Sequence, residues 1–354
     1  MQRKSWTFVQ LLAGLVALGG LLAVAPAVRA DEVKDDFEVP VPEERPMAKP
    51  TCPQCPECSK CPKGKVSFNV GIDVPTRYYF RGILQEDKGF IGQPYAELNI
   101  NLWEYDIFRL TAIGGIWNSF HSMRTKQSFG SRARDAARGF NVSQRVLNPS
   151  FGDPEAWYEF DGYSGVAVGI GDLEVSSIYT IYTSPSGAFQ TTQDVSAGVS
   201  YDDSDILGAF ALHPGITFYV ETAGPGAFGT DDRGTLVQFH GGPEFDLTGG
   251  DNPITLGIPI EAGLSISDYY ESSDATLPPY TNNSKSSGVD SATFGYFQTG
   301  LDLGVPLTFI PCEYGSWLLN MGGRFISMGR TLKEVNRNGD DYSFFGMFGL
   351  SMTY

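Results

Sequence analysis

A two-residue alternation of apolar and polar side chains recurs from Ser67 to Tyr354, and it constrains the fold of this chain more than any other feature. Between Ile254 and Ile266, for example, apolar residues recur at alternate positions, with Thr255, Glu261 and Ser265 between them. Successive side chains of a β-strand point to opposite faces, so the pattern predicts strands with one apolar and one polar face. We count about twelve such strands, all antiparallel.

The connections between these strands alternate in length. Short ones rich in Gly and Asp occur at Glu104–Asp106, Gly169–Asp172, Asp202–Asp205 and Thr248–Pro253, and long ones at Pro75–Pro94, Asn118–Pro154 and Ser267–Asp290. Short turns at one rim and long loops at the other are typical of outer-membrane barrels. The sequence therefore predicts an all-β fold, an antiparallel transmembrane up-and-down β-barrel over residues 66–354, with its C-terminus on the periplasmic side.

The alternative for a two-residue period is a soluble sandwich or a lipocalin-like barrel, whose apolar face points inward. Two features favour the membrane barrel. Charged residues occupy the polar face at mid-strand, which suits a wet lumen. The last strand presents Phe348, Leu350, Met352 and Tyr354 on one face, and this aromatic end is similar to the signal read by the barrel assembly machinery of the outer membrane.

The first 65 residues differ from the rest. Residues 1–30 combine Arg3 and Lys4, an apolar run from Val9 to Val24 and small residues before position 31, which predicts a secretory signal peptide; an uncleaved anchor is the alternative. Residues 31–65 contain seven prolines and few large apolar side chains, so we expect a disordered periplasmic tether.

Four cysteines lie three residues apart within this tether, at Cys52, Cys55, Cys58 and Cys61. In an exported segment they predict local disulfides or a covalent link to an envelope partner. The alternative is a thiolate site for zinc or an iron–sulfur cluster, although the spacing departs from the ferredoxin pattern. We expect no other cofactor.

Short motifs relate the chain to a known family. Asn69-Val-Gly-Ile-Asp, followed by Tyr79-Phe-Arg81-Gly82-Ile, resembles the opening of the TorF-type porins, a conserved proteobacterial family of outer-membrane proteins. The block from Glu159 to Gly165 and the Tyr314–Trp317 turn are also similar. The resemblance implies an outer-membrane channel and supplies no catalytic residues. From the residues themselves, Gly82 permits a bulge or a close backbone approach, and Arg81 could bind an anion or a barrel carboxylate; we favour a structural anchoring role for this motif.

Composition excludes some functions. The chain has 41 acidic against 25 basic residues and a formal charge of -16, which argues against nucleic acid as a partner. Its only histidines are His121, His213 and His240, and spacing reveals no Ser-His-acid constellation, so we expect no enzyme. His213 and His240 are predicted to face inward on neighbouring strands, as a metal pair or as two isolated side chains.

The polar faces predict the lining of a pore. Assigning alternate residues inward gives these candidates: Glu97, Asn99, Arg109, Glu159, Asp161, Glu174, Asp194, Glu244, Asp246, Glu261, Asp302 and Arg324. An excess of carboxylates favours cations in a narrow channel, unless bases such as Arg109 and Arg324 neutralise them. The basic loop from Asn118 to Pro154 is the best candidate for an inward constriction and could instead bind lipopolysaccharide at the rim, but the interpretation that we favour is a plain solvated loop.

Together these features predict a porin-like channel of the bacterial outer membrane for passive diffusion of small solutes or ions, preferring cations, with outer-membrane lipids and lipopolysaccharide as its surroundings. The alternatives are a non-conducting barrel that anchors the envelope and a lipid-modifying enzyme.

Overall fold

The computed structural model describes residues 65–122, 156–224, 233–272, 290–291, 293–336 and 341–354. The predicted signal peptide, the tether with its four cysteines and most of the basic 118–154 loop lie outside these residues. Within the described ranges, no helix has the length and apolar character needed to cross a membrane.

The described residues form strands joined by turns and a few helical segments. The strands are β1 (Val66–Pro75), β2 (Tyr78–Phe80), β3 (Ile83–Glu86), β4 (Ile91–Tyr105), β5 (Phe108–His121), β6 (Trp157–Ile170), β7 (Leu173–Thr183), β8 (Thr192–Tyr201), β9 (Gly215–Ala223), β10 (Thr235–Gly241), β11 (Glu244–Asp246), β12 (Thr255–Gly257), β13 (Ile260–Ser267), β14 (Glu271–Ser272), β15 (Asp290–Ser291), β16 (Phe294–Pro306), β17 (Ser316–Met328) and β18 (Tyr342–Thr353). Two short helices are α1 (Ser204–Leu207) and α2 (Arg330–Val335), and 3-10 turns span Gly208–Phe210 and Cys312–Tyr314.

The main sheet closes on itself. β1 pairs with β4 on one side and with β18 on the other, and all its pairings are antiparallel. β10 with β11, and β12 with β13, each form one barrel strand that is interrupted briefly at Gly242-Pro243 and Ile258-Pro259, because proline has no N–H to donate to a neighbouring strand. The result is the predicted barrel of twelve antiparallel strands.

The apolar face of this barrel points outward, opposite to the arrangement of a soluble lipocalin-like barrel. Exposed aliphatic side chains cover the middle of the wall, including those of Ile72, Leu98, Ile116, Val220, Leu301 and Met321. Exposed aromatic side chains lie towards both ends: Trp103, Tyr105, Phe309 and Tyr314 at the short-turn rim, and Phe90, Trp157, Tyr342 and Phe344 at the long-loop rim. An apolar band between two aromatic girdles is typical of barrels that span a membrane.

Alternation of apolar residues from Ile206 to Glu221 predicts one long strand, and this prediction is wrong. Helix α1 and a 3-10 turn occupy its first part, and β9 begins only at Gly215. The Asp203 carboxylate accepts the backbone N–H groups of Leu212 and His213 at 2.9 and 2.8 Å, which satisfies donors that would otherwise pair in the sheet. His213 also adopts a left-handed φ of 45°, which no extended strand tolerates.

Candidate functional site

The connection between β1 and β4 folds into the barrel at the long-loop rim. β2 and β3 pair as a small hairpin, which we call the plug hairpin (residues 78–86). Its turn consists of Arg81 and Gly82, both left-handed, with φ of 47° and 83°. Two-residue hairpin turns with positive φ favour Asn or Asp followed by Gly, so an arginine here is unusual.

The Arg81 guanidinium lies in a cage of acidic and aromatic side chains. Its Nη2 lies 2.8 Å from Asp194 Oδ2, and its Nη2 and Nη1 donate to the phenol oxygens of Tyr182 and Tyr269, both at 3.0 Å. Its Cζ is 3.7 Å from the ring centroid of Tyr219 and 4.8 Å from that of Phe80. The side chains of Arg81 and Asp194 are only 9% and 2% exposed. The expected carboxylate partner of Arg81 is therefore Asp194, on the opposite wall of the lumen.

Further contacts hold the plug hairpin across the lumen. Tyr78 donates to Glu159 Oε2 at 2.9 Å, and burial raises the pKa of Tyr78 well above its usual value, so its hydroxyl stays protonated. Asn336, just after α2, accepts the Leu84 N–H at 2.8 Å and donates to the Gly82 carbonyl at 2.7 Å. Ile83 is completely buried in a cluster that includes the side chains of Leu236, Tyr269, Tyr270, Tyr296, Ile326 and Leu332.

Alternation with the inward residues Glu159 and Asp161 predicts that Tyr158 points outward, but the structure places it against the plug hairpin. Its hydroxyl donates to Gln85 Oε1 of the plug hairpin at 2.6 Å, and its ring stacks on His121 with centroids 4.4 Å apart. A register shift between Ser119 and Phe120 breaks the alternation at this end of β5 and β6, so parity no longer decides the face. Tyr158 therefore contacts the plug hairpin and not the surrounding membrane.

The predicted pore-lining residues fall into three levels. Directly beneath the plug lie the buried carboxylates Glu159, Asp161 and Asp194. At mid-height, Glu97 accepts from Asn99 at 2.8 Å and from Tyr163 at 3.0 Å, Glu261 accepts from Tyr296, and Arg324 forms two 2.5 Å contacts with Asp302. Towards the short-turn rim, Arg109 lies 3.3 Å from Glu174, and Glu244 and Asp246 are exposed.

Solvent exposure of the ion-paired inward carboxylates rises from the plug to the short-turn rim. The Asp194 side chain is 2% exposed beneath the plug, and that of Asp302 is 33% exposed at mid-height. Glu174 and Arg109 reach 45% and 53% near the short turns. These carboxylates are thus more accessible to water towards the short-turn rim than beneath the plug.

Two tyrosines lie flat against the inner wall over glycines. Tyr163 of β6 crosses Gly115 of β5 to reach Glu97 of β4, three residues that are aligned across these strands. Tyr95 crosses Gly71 of β1 in the same way to reach Ser351 of β18. A Cβ at either glycine would lie within 2.5 Å of the tyrosine ring. Sequence reasoning missed this arrangement because it depends on the strand register.

A Ser-His-acid group that spacing did not reveal comes together at the long-loop rim. Ser119 Oγ lies 2.9 Å from His121 Nε2, and His121 Nδ1 lies 3.7 Å from Glu86 Oε2 of the plug hairpin. Ser119 is 0% exposed, so no substrate reaches its hydroxyl while the plug is in place. The strand spacing of Ser119 and His121 was visible in the sequence, but the position of Glu86 was not.

The other two histidines were expected on neighbouring strands, as a metal pair or as two isolated side chains, but only His240 lies on a strand. His213 lies in the connection before β9, with Nδ1 3.4 Å from Asp202 Oδ1, and hydrogen bonds from Ser204 and the nearby His213 lower the pKa of Asp202. Within the described ranges, the one group of three or more side chains close enough to share a metal ion is Asp202, Asp203 and His213. His240 pairs instead with Gly215 and Glu261.

The inward segment that the structure describes is one that the sequence did not single out for that role. The sequence named the basic 118–154 loop as the candidate constriction, whereas the structure places the plug hairpin, residues 78–86, inside the barrel. Most of the basic loop lies outside the described residues, so its predicted role as a constriction stays a prediction.

No protein-family model matches the chain, and no curated protein matches its sequence. The resemblance to TorF-type porins therefore stays a prediction. Solved structures that are similar include an outer-membrane channel from Pseudomonas putida F1 (10% identity, 82% of this chain and 95% of that chain, TM-score 0.39). The NanC porin aligns at 10% identity over 80% of this chain and 98% of that one, with a TM-score of 0.35. The translocator domain of the autotransporter NalP from Neisseria meningitidis aligns at 11% identity over 81% and 87%, also with a TM-score of 0.35. These identities and TM-scores are too low to assign a family or a function.

Proposed function

We propose that this protein is a plugged channel of the bacterial outer membrane, which conducts small cations when the plug hairpin leaves the lumen. In this proposal the long-loop rim faces the cell exterior, and the short-turn rim and C-terminus face the periplasm. Outer-membrane lipids surround the apolar band, and the barrel assembly machinery inserts the chain.

One observation carries the proposal: the inward carboxylates of the three ion pairs, Asp194, Asp302 and Glu174, become more exposed from the plug to the short-turn rim. A barrel that served only as an anchor would have no need of a hydrated interior. Side chains fill small eight-stranded barrels, whereas a larger strand number leaves room for water. The plug hairpin then accounts for the closed end of the lumen.

The experiment is single-channel recording of the refolded full-length chain in planar bilayers. We expect the wild type to be closed most of the time. Arg81→Gln removes the guanidinium from its buried partners, and hydrogen bonds to charged groups are worth about 1.5–3 kcal/mol. We therefore expect Arg81→Gln to increase the open-to-closed ratio at least about tenfold.

Arg109→Gln is the matched control, because it removes the same lumen charge at an exposed site far from the plug. It should leave the open-to-closed ratio unchanged. If both variants opened equally, channel opening would not depend on release of the plug hairpin, and this part of the proposal would be wrong. Silence of the wild type and of Arg81→Gln would favour the non-conducting anchor.

A second candidate function is hydrolysis by a serine nucleophile, favoured by the Ser119–His121–Glu86 group alone. The proton of the Ser119 hydroxyl would pass to His121 Nε2, with Glu86 orienting the ring. A fluorophosphonate probe tests this by covalent labelling. If Ser119→Ala abolishes the labelling and Ser122→Ala does not, Ser119 is the nucleophile. If neither the wild type nor the plug-releasing Arg81→Gln variant is labelled, hydrolysis by Ser119 is excluded.

A further inference from the structure

The wall of the Arg81 cage belongs to the barrel, while the guanidinium comes from the plug hairpin. Tyr182, Asp194 and Tyr219 lie on the adjacent strands β7, β8 and β9, whose positions are fixed by the ladders of the sheet. Tyr269 follows β13, with its backbone N–H bonded to Ser265 Oγ at 3.1 Å. The wall therefore keeps its shape when Arg81 withdraws, as a preorganised binding site must.

The chemistry of this wall suits a planar cation with several N–H donors. It offers one carboxylate, two phenol oxygens as acceptors and the ring face of Tyr219 at 3.7 Å. Guanidinium groups bind carboxylates through N–H pairs and stack on aromatic rings, whereas a compact ammonium ion does not match this geometry. The site is specific for the class of cation that Arg81 itself presents.

Arg81 does not use all of the acceptors at the site. Asp194 Oδ1 and Asp161 Oδ1 are both buried and have no hydrogen-bond partner among the described residues. Buried polar atoms are rarely left unpaired, so these two oxygens are unused acceptors for further N–H donors. Arg81 approaches from a strained turn and carries its alkyl chain on one side, which limits the N–H groups that it can direct at the wall.

We propose that the cage wall is a binding site for guanidinium-class organic cations, that Arg81 occupies it as a tethered ligand while the plug is closed, and that a free guanidinium compound displaces Arg81 and releases the plug. Binding at the wall stands on the geometry of the cage. Passage of the compound through the lumen rests on the proposed channel function.

The first test is chemical complementation with methylguanidinium at constant ionic strength. We expect Arg81→Ala, assembled as the full chain, to show a saturable rise in thermal unfolding temperature, because the vacated wall accepts the probe. Adding Asp194→Asn should weaken this binding at least about tenfold, because it removes the charge-assisted contact. Arg109→Ala vacates an exposed site beside Glu174 and should respond no more than the wild type.

Tetramethylammonium separates the two modes of recognition, since it stacks on aromatic rings but has no N–H group. We expect it to bind Arg81→Ala at least about tenfold more weakly than methylguanidinium does. A response of Arg81→Ala equal to that of the wild type, or one insensitive to Asp194→Asn, would overturn the proposal.

The second test uses the wild type and does not depend on assembly of the alanine variant. Methylguanidinium should accelerate hydrogen–deuterium exchange in the peptide containing residues 78–86, while potassium at equal ionic strength should not. Arg81→Lys retains a charge without the planar fork, so the same acceleration should occur at a lower probe concentration. Unchanged exchange in both proteins would overturn displacement of the plug.

These measurements read binding without conduction, so they separate the two proposals. Binding in a protein that never conducts would leave the site intact and remove the channel function. Conduction without methylguanidinium binding would leave the channel function intact and remove the binding site.

Discussion

At the scale of single residues, two ion pairs of the interior differ in what surrounds them. The Arg324 side chain is 10% exposed and makes two contacts with Asp302. Arg109 and Glu174 meet at the short-turn rim with about half of each side chain in water. Removing one partner of a buried pair leaves an uncompensated charge, whereas exposed pairs contribute little.

We therefore predict that Asp302→Asn lowers the free energy of unfolding by about 2–4 kcal/mol. The matched change Glu174→Gln should cost less than about 1 kcal/mol. Equilibrium unfolding in urea, followed by tryptophan fluorescence in lipid vesicles, gives both values. Similar losses in the two variants would mean that water reaches Arg324 as freely as it reaches Arg109.

At the scale of elements, the tyrosine side chains over strand glycines connect three neighbouring strands. Tyr163 spans β6, β5 and β4 because Gly115 leaves space for its ring on the way to Glu97. A glycine inside a strand costs conformational entropy and packs poorly, so its use here reflects the close approach of another group. Because the tyrosine rings lie against the wall over these glycines, they do not project into the centre of the lumen.

Gly115→Ala tests this arrangement. Its Cβ would lie 2.4 Å from Cζ of Tyr163, so the ring must leave the wall, and such overpacking costs about 1–3 kcal/mol. The neighbouring Gly114→Ala meets only a backbone oxygen at 3.9 Å and should be neutral or slightly stabilising. Unfolding in urea compares the two, and equal stability would show that the ring adapts freely.

The plug hairpin is the second element whose role can be tested by one methyl group. A Cβ on Gly82 would lie 2.5 Å from Leu332 Cδ1 and 2.8 Å from Tyr296 Cδ1, and its φ of +83° is itself unfavourable for alanine. We predict that Gly82→Ala expels the hairpin and increases the single-channel open-to-closed ratio at least about tenfold, as the combined clash and strain exceed about 1.4 kcal/mol.

Gly187→Ala controls for the backbone strain, because Gly187 has a similar φ of +68° but no atom within 4 Å of the position of its Cβ. It should leave channel opening unchanged. Opening in both variants would assign the effect to general destabilisation of the loops.

At the scale of the whole molecule, the sequence was sufficient to predict the barrel but not the plug hairpin inside it. Alternation predicts which face of a strand is polar, so Glu97, Glu261 and Asp302 were assigned to one face from local pattern alone. The partner of Arg81 lies 113 residues away on the opposite wall, and no local pattern specifies which strands face each other across a lumen. The alternation also failed at Tyr158, where a register shift and the plug changed the face.

The selectivity of the open lumen is also a property of the whole molecule. Arg109 and Arg324 pair with Glu174 and Asp302, whereas Glu97 and Glu261 accept hydrogen bonds from neutral side chains. The net negative charge at mid-height therefore comes from Glu97 and Glu261. Two unit charges 4 Å apart interact by about 1 kcal/mol even at the dielectric constant of water, so each carboxylate raises the local cation concentration about fivefold at contact.

We predict that the channel, opened by Gly82→Ala, prefers potassium over chloride, and that adding Glu97→Gln and Glu261→Gln reduces this preference. The reversal potential in a KCl gradient measures it. The paired change Arg109→Gln with Glu174→Gln removes one charge of each sign and should leave the potential unchanged. The preference should also weaken as salt rises, because the screening length falls from about 10 Å at 0.1 M to about 3 Å at 1 M. A reversal potential of the chloride-preferring sign would contradict the carboxylate assignment and direct attention to the basic 118–154 loop.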